Sequence, residues 1–319
     1  MTYTHVEYIF VHISFLMLLL VTLPNLLNLF YEIDRPNHFS KNSMTIAFLC
    51  LTGFMAIRCF QTKHLPLGNS YESLIFLSWG FSLLYPISNS SGKTQGGLPG
   101  AVLAPSAMLT HAFATSSLPQ EMQQSTSLVP ASQSHRLMMH VTTTLISYAT
   151  SSCGSLLAIV LLSLLRGKRN NYYSLYLEHN SEKRICLLNP FNNIQRQINV
   201  QSSPYSLFLN SRKCQLINCL DKWTYQAISL GFSFLTVGIL SGAVWANEAR
   251  GSYRSWDPKE TWALVTWLIY ATYLHTRINE RWTGEKPAVA ASMGFFLVRI
   301  RFLGVNLLGI GLHNYGWLV

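Results

Sequence analysis

The chain has 319 residues, of which 49% are hydrophobic and only 11% charged, against roughly a quarter charged in soluble domains. A globule of this size with so little charged surface would not stay dispersed, which excludes an ordinary soluble enzyme. The net charge of +10 would point to nucleic acid only if the basic residues formed one face of a soluble fold, and their distribution along the chain follows membrane topology instead.

Charge-free runs mark the elements. A bilayer core needs about 17–25 mostly apolar residues per helix, and the sequence predicts eight such spans, so the expected fold class is all-α, a polytopic integral membrane protein. The first span, 8–30, has no Lys or Arg in its leader and is too long for a signal-peptide core, so it is expected to stay as an anchor. Spans at 43–60 and 71–88 follow. The fourth, 98–116, is interrupted by Pro99, Gly100 and Pro105. The fifth, 137–165, closes an N-terminal membrane region covering 1–165.

The only long polar stretch is 166–222, with nine Lys and Arg against Glu178, Glu182 and Asp221. The positive-inside rule places this basic loop on the side of synthesis. A C-terminal membrane region, 223–319, then carries spans at 224–246, 259–276 and 288–313, the last holding Arg299 and Arg301 with no acidic residue in 287–313. With the basic loop inside, three features meet on the outer side: His140, the segment from Trp245 to Trp262, and His313.

Four of the eight tryptophans (245, 256, 262 and 267) fall in one 23-residue window that begins at Trp245, with Tyr253 among them. An interfacial aromatic belt is the ordinary explanation. A belt, however, needs no Asn247, Glu248, Asp257, Lys259 and Glu260 among its rings. An aromatic floor with a few polar handles suits a flat, mostly apolar ligand with carboxylates at one edge. Asp257-Pro258-Lys259-Glu260 also reads structurally, as an N-cap, a first-turn proline and a glutamate three residues after the cap.

A single histidine in such a place is usually a hydrogen-bonded polar residue. Two from different helices on one side of the membrane can clamp a haem iron from opposite faces of the porphyrin, neutral imidazole being its usual axial ligand. His140 and His313 can do so. His275 lies 18 residues beyond Asp257, about 27 Å down a helix, and cannot join them. Six cysteines contain no C-x-x-C and no C-x-x-C-H, so the chain has neither a dithiol motif nor a haem-attachment motif of its own.

The run from Trp245 through Trp256-Asp-Pro-Lys-Glu-Thr-Trp262, with Tyr71-Glu-Ser-Leu-Ile-Phe-Leu-Ser-Trp79, Phe113-Ala-Thr, Leu137-Met-Met-His140 and the glycine-spaced Gly304–His313, resembles the WWD-signature family of haem-handling proteins of cytochrome c maturation, most closely its chloroplast members. The likeness extends from about residue 12 to residue 316 and is weak only in 166–222.

The resemblance implies a multi-pass thylakoid protein with 166–222 in the stroma and the 245–262 signature in the lumen. It implies b-type haem, held non-covalently between His140 and His313 as axial ligands. Trp245, Tyr253, Trp256, Asp257 and Trp262 would form the floor, and His275 an intramembrane relay. The implied partners are a CcsB/ResB-type membrane protein and apocytochromes c of the cytochrome f type, with no nucleic acid. The implied role is a component of a cytochrome c synthase, presenting haem for ligation, with no catalytic residue assigned. The alternative is a haem transporter without a direct part in ligation.

Five positions depart from the family pattern. Arg136, Arg250, Arg254 and Arg299 stand where tryptophan is typical, and Arg301 where cysteine is familiar. One C-to-U change turns an Arg codon into a Trp or Cys codon, so the chain reads as a gene translation whose organellar transcript is edited. The competing reading pairs these arginines with haem propionates or with the partner protein.

Overall fold

The computed structural model describes residues 2–31, 38–90, 98–119, 123, 134–166, 204–279, 282 and 284–301. Among them are eight helices and no strand: α1 (Thr2–Tyr31), α2 (His38–Thr62), α3 (Ser70–Ser90), α4 (Leu98–Ser117), α5 (His135–Arg166), α6 (Pro204–Arg250), α7 (Pro258–Ile278) and α8 (Glu285–Arg299). One helix falls on each predicted span, and the chain is an all-α, polytopic membrane protein. In lipid every backbone polar group must be satisfied within the segment, which leaves the helix as the economical solution for such runs.

Four helices are long and apolar enough to cross a membrane on composition alone, over His5–Leu27, Phe39–Thr62, His135–Leu165 and Leu216–Ala249. Of the others, α3 and α7 carry Tyr, Trp and charged residues that lower their hydropathy, and α8 is only 15 residues long. The prolines do not break α4: Pro99 sits in its first turn, where no N–H is missed, and Pro105 lies inside it. Gly100 answers to packing, because a Cβ there would come within 2.8 Å of the Tyr85 ring on α3.

One boundary lies far from expectation. Helix α6 begins at Pro204, well inside the predicted 166–222 loop, so the N-terminal end of this span continues as a helix through polar residues such as Lys213, Asp221 and Lys222. Residues 167–203 and the 302–313 end of the eighth predicted span lie outside the described residues.

Consecutive helices pair as α1 with α2, α3 with α4 and α5 with α6, and α5 also touches α3, α4 and α8. The α5–α6 contact is a seam of small residues. A Cβ at Gly154 would meet Ile228, at Gly231 the Ser151 backbone, at Gly238 the Thr144 methyl and at Gly242 the His140 ring, each nearer than 3 Å. The Ser147 hydroxyl crosses the seam to the Gly231 carbonyl at 2.8 Å. With no hydrophobic drive between helices in lipid, such close approach and such hydrogen bonds hold them together.

Candidate functional site

His140 lies in the second turn of α5, half-buried against the last third of α6. Its Nδ1 is 2.6 Å from the Gly238 carbonyl oxygen. A carbonyl only accepts, so this contact assigns the proton to Nδ1 and the lone pair to Nε2. Metal-binding imidazoles are commonly fixed this way, with one nitrogen donating to a backbone carbonyl and the other facing the metal. The donor chemistry at His140 therefore suits a haem iron.

The same end of the molecule holds the aromatic segment. Trp245 is half-buried near the end of α6, and Glu248 one turn later forms an ion pair with Arg136 in the first turn of α5. Gly251, at φ +73°, ends the helix, its N–H donating to the Asn247 carbonyl at 2.8 Å. A glycine in the left-handed region is the usual device for such a stop. The chain then runs exposed through Tyr253 and Trp256, which are 65% and 67% accessible. Trp256 has φ +55°, a conformation uncommon for a bulky side chain, and the Arg254 guanidinium lies over its ring at 4.4 Å.

Asp257 takes the N-cap position of α7 with Pro258 next, as the sequence predicts, but its carboxylate makes no capping hydrogen bond. Glu260 instead reaches back one step further and accepts from the Ser255 N–H at 3.0 Å and the Ser255 hydroxyl at 3.3 Å. Trp262 is half-buried on α7. Trp267 belongs to the packing: its indole N–H donates to Thr236 of α6 at 3.0 Å, and its ring lies against Phe232. Lys259 is within electrostatic reach of both Asp257 and Arg301.

The structure thus brings His140 and the 245–262 segment to one end of the α5–α6–α7 group. His275 sits near the other end of α7, exposed, with the Asn279 amide beside its ring nitrogens at 3.2 and 3.3 Å. His313 lies outside the described residues. Sequence reading missed Gly238 and Gly242. Their signal was present as small residues at 231, 238 and 242, one and two turns apart on a membrane helix, which is the usual mark of a close helix contact.

The family model described as cytochrome C assembly protein matches residues 67–313. A protein named cytochrome c biogenesis protein CcsA from Adiantum capillus-veneris is 67% identical over 320 residues, covering all of both chains. Proteins of the same name from Pinus thunbergii and Marchantia polymorpha are 51% and 50% identical; the first covers all of this chain and 99% of the relative, the second all of both. A family match across most of the chain and full-length relatives at this identity leave one conclusion: this chain belongs to the cytochrome c assembly protein family.

Proposed function

We propose that the chain, a membrane protein of cytochrome c maturation, binds b-type haem at the lumenal end of α5–α7 and presents it for covalent attachment to the C-x-x-C-H of apocytochromes c. His140 and His313 are the axial ligands in this reading, and Trp245, Tyr253, Trp256 and Trp262 supply the apolar floor. His275, at the far end of α7, serves as a relay on the way in. The protein works in the thylakoid membrane with a CcsB/ResB-type partner, with 166–222 in the stroma.

The observation that carries the proposal is the bond from His140 Nδ1 to the Gly238 carbonyl. It presents Nε2 as the ligating atom at the end of the molecule where large aromatic faces stand in the open. The haem supplies the reactive groups, each cysteine S–H adding across a vinyl C=C to form a thioether with no atom lost. The chain contributes position. By holding the group with His140 and His313, the chain would turn an encounter of three reacting groups into an ordered one, lowering the entropic part of the barrier.

The test is an absorption spectrum of the protein purified with its partner. A bis-imidazole haem spectrum is expected in the wild type. Replacing His140 or His313 with Ala should deplete the haem, and added imidazole should restore part of it by filling the vacant position. His275→Ala should lower loading and leave the spectrum of the remaining haem unchanged. An unaltered spectrum and normal holocytochrome yield in both His140→Ala and His313→Ala would sink the assignment. If haem supplied on the lumenal side bypasses the protein altogether, transport without ligation becomes the better reading.

A further inference from the structure

Resting on that reading, we propose that Gly242 is a positioning residue for the haem ligand His140: the absence of a side chain at 242 is what lets the imidazole lie flat against α6 with Nδ1 on the Gly238 carbonyl. A Cβ at 242 would stand 2.5 Å from His140 Nδ1, 2.6 Å from Cε1 and 3.2 Å from Cγ. All three atoms belong to the ring, and the near pair are closer than real Cβ contacts come. The ring cannot keep its place if residue 242 is anything but glycine.

Residues 238 and 242 are one helical turn apart, so one supplies the acceptor and the other the space over the same patch of helix surface. The Gly238 carbonyl also accepts the Ser241 hydroxyl at 3.0 Å. An imidazole pushed outward therefore loses this bond while the carbonyl keeps another donor. The two other α6 glycines of the seam face something else: Gly231 the backbone and side chains of Thr150 and Ser151, Gly238 the side chain of Thr144. Only Gly242 is shaped around a candidate ligand.

The inference separates from ordinary helix packing by a double-mutant cycle. If Gly242 serves His140, Gly242→Ala should be destabilising alone and nearly silent in His140→Ala, because the clashing ring is gone. Equal destabilisation in both backgrounds would overturn the proposal and make Gly242 one more packing glycine. In protein purified with its partner, Gly242→Ala should weaken haem retention about 10–100-fold, the usual cost of losing an outer-sphere contact to a ligating histidine. Added imidazole should recover part of the spectrum. Gly231→Ala, which strains the same seam at the Ser151 backbone, should show no such imidazole recovery.

A readout independent of haem completes the test. In protein labelled with nitrogen-15 histidine, the His140 signal, assigned by its loss in His140→Gln, should report an Nδ1–H tautomer that shifts in Gly242→Ala. A tautomer unmoved by the substitution would also overturn the proposal. A wild type that binds no haem would defeat the proposed function alone, because the tautomer and the double-mutant cycle judge Gly242 without it.

Discussion

Arg58 and Arg301 are both buried in helical membrane protein, 3% and 8% accessible, and their surroundings could hardly differ more. Arg58, near the end of α2, donates to Glu7 of α1 at 3.3 Å, to Glu72 of α3 at 3.0 Å and to the Gln123 carbonyl. Its guanidinium also lies 5.1 Å from the Phe54 ring centre and 5.4 Å from that of Tyr71. Glu72 in turn accepts the Gly68 N–H at 2.8 Å. Arg301, just past α8, lies over the Tyr148 ring at 4.9 Å, and its Nη1 is buried without a partner among the described residues. Arg254 repeats the pattern, with Nε buried and unpartnered among the described residues. The fold supplies partners for the first arginine from four segments of chain. For the other two the described residues supply chiefly an aromatic face, the kind of surroundings that would suit an uncharged side chain.

The largest effect is expected at Arg58. Removing one member of a buried ion network leaves the others uncompensated, so Arg58→Leu should cost about 3–5 kcal/mol of stability. The measurement is thermal unfolding of the purified protein in detergent. Adding Glu7→Gln and Glu72→Gln to Arg58→Leu should restore most of the loss, since a fully neutral cluster carries no stranded charge. A mild effect of Arg58→Leu would mean that Arg58 is no better provided for than Arg301, and the contrast would fail.

At Arg301 the sign should reverse. A buried donor without a partner costs about 1–3 kcal/mol, so Arg301→Cys is expected to raise stability by an amount of that order. The same reasoning applies to the residue that the organism makes: peptide mass spectrometry of the native protein is expected to find tryptophan at 254 and 299 and cysteine at 301, as transcript editing would produce. Arginine at those positions in the mature chain, together with destabilisation by Arg301→Cys, would instead assign these cations to a partner or to haem propionates.

How much of this was legible depended on distance along the chain. Runs poor in charge located the helices, because a span must be apolar within itself, and the eighth was placed only by accepting Arg299 and Arg301 inside it. The start of α6 at Pro204 was not legible, since a helix that leaves the membrane passes through polar residues and loses the hydropathy signal. Pro258 located the start of α7, yet the Asp257 side chain does no capping, a detail set by side-chain geometry and not by residue type. Partners from other helices were hidden altogether. His140 and Gly238 are 98 residues apart, and Arg58 finds Glu7 across 51. Topology read from the sequence put His140 on the same side as the 245–262 segment. Which touches which waited for the packing.

The smallest effect is expected where an arginine is paired but wet. Arg136 and Glu248 join the start of α5 to the end of α6 one turn from His140, with side chains 54% and 48% accessible. At such exposure water and salt screen the attraction, and holding two long side chains together costs entropy, so Glu248→Gln should change stability by less than about 1 kcal/mol. Arg136 is also one of the four arginines that, by the resemblance, stand where tryptophan is typical. Arg136→Trp should therefore leave the unfolding temperature nearly unchanged, since no buried charge is stranded when the pair is broken. A loss approaching that of Arg58→Leu would show that this pair fixes the approach of α5 to α6. The wet arginine would then belong with Arg58, and burial would no longer be what separates the arginines this fold depends on from those it does not.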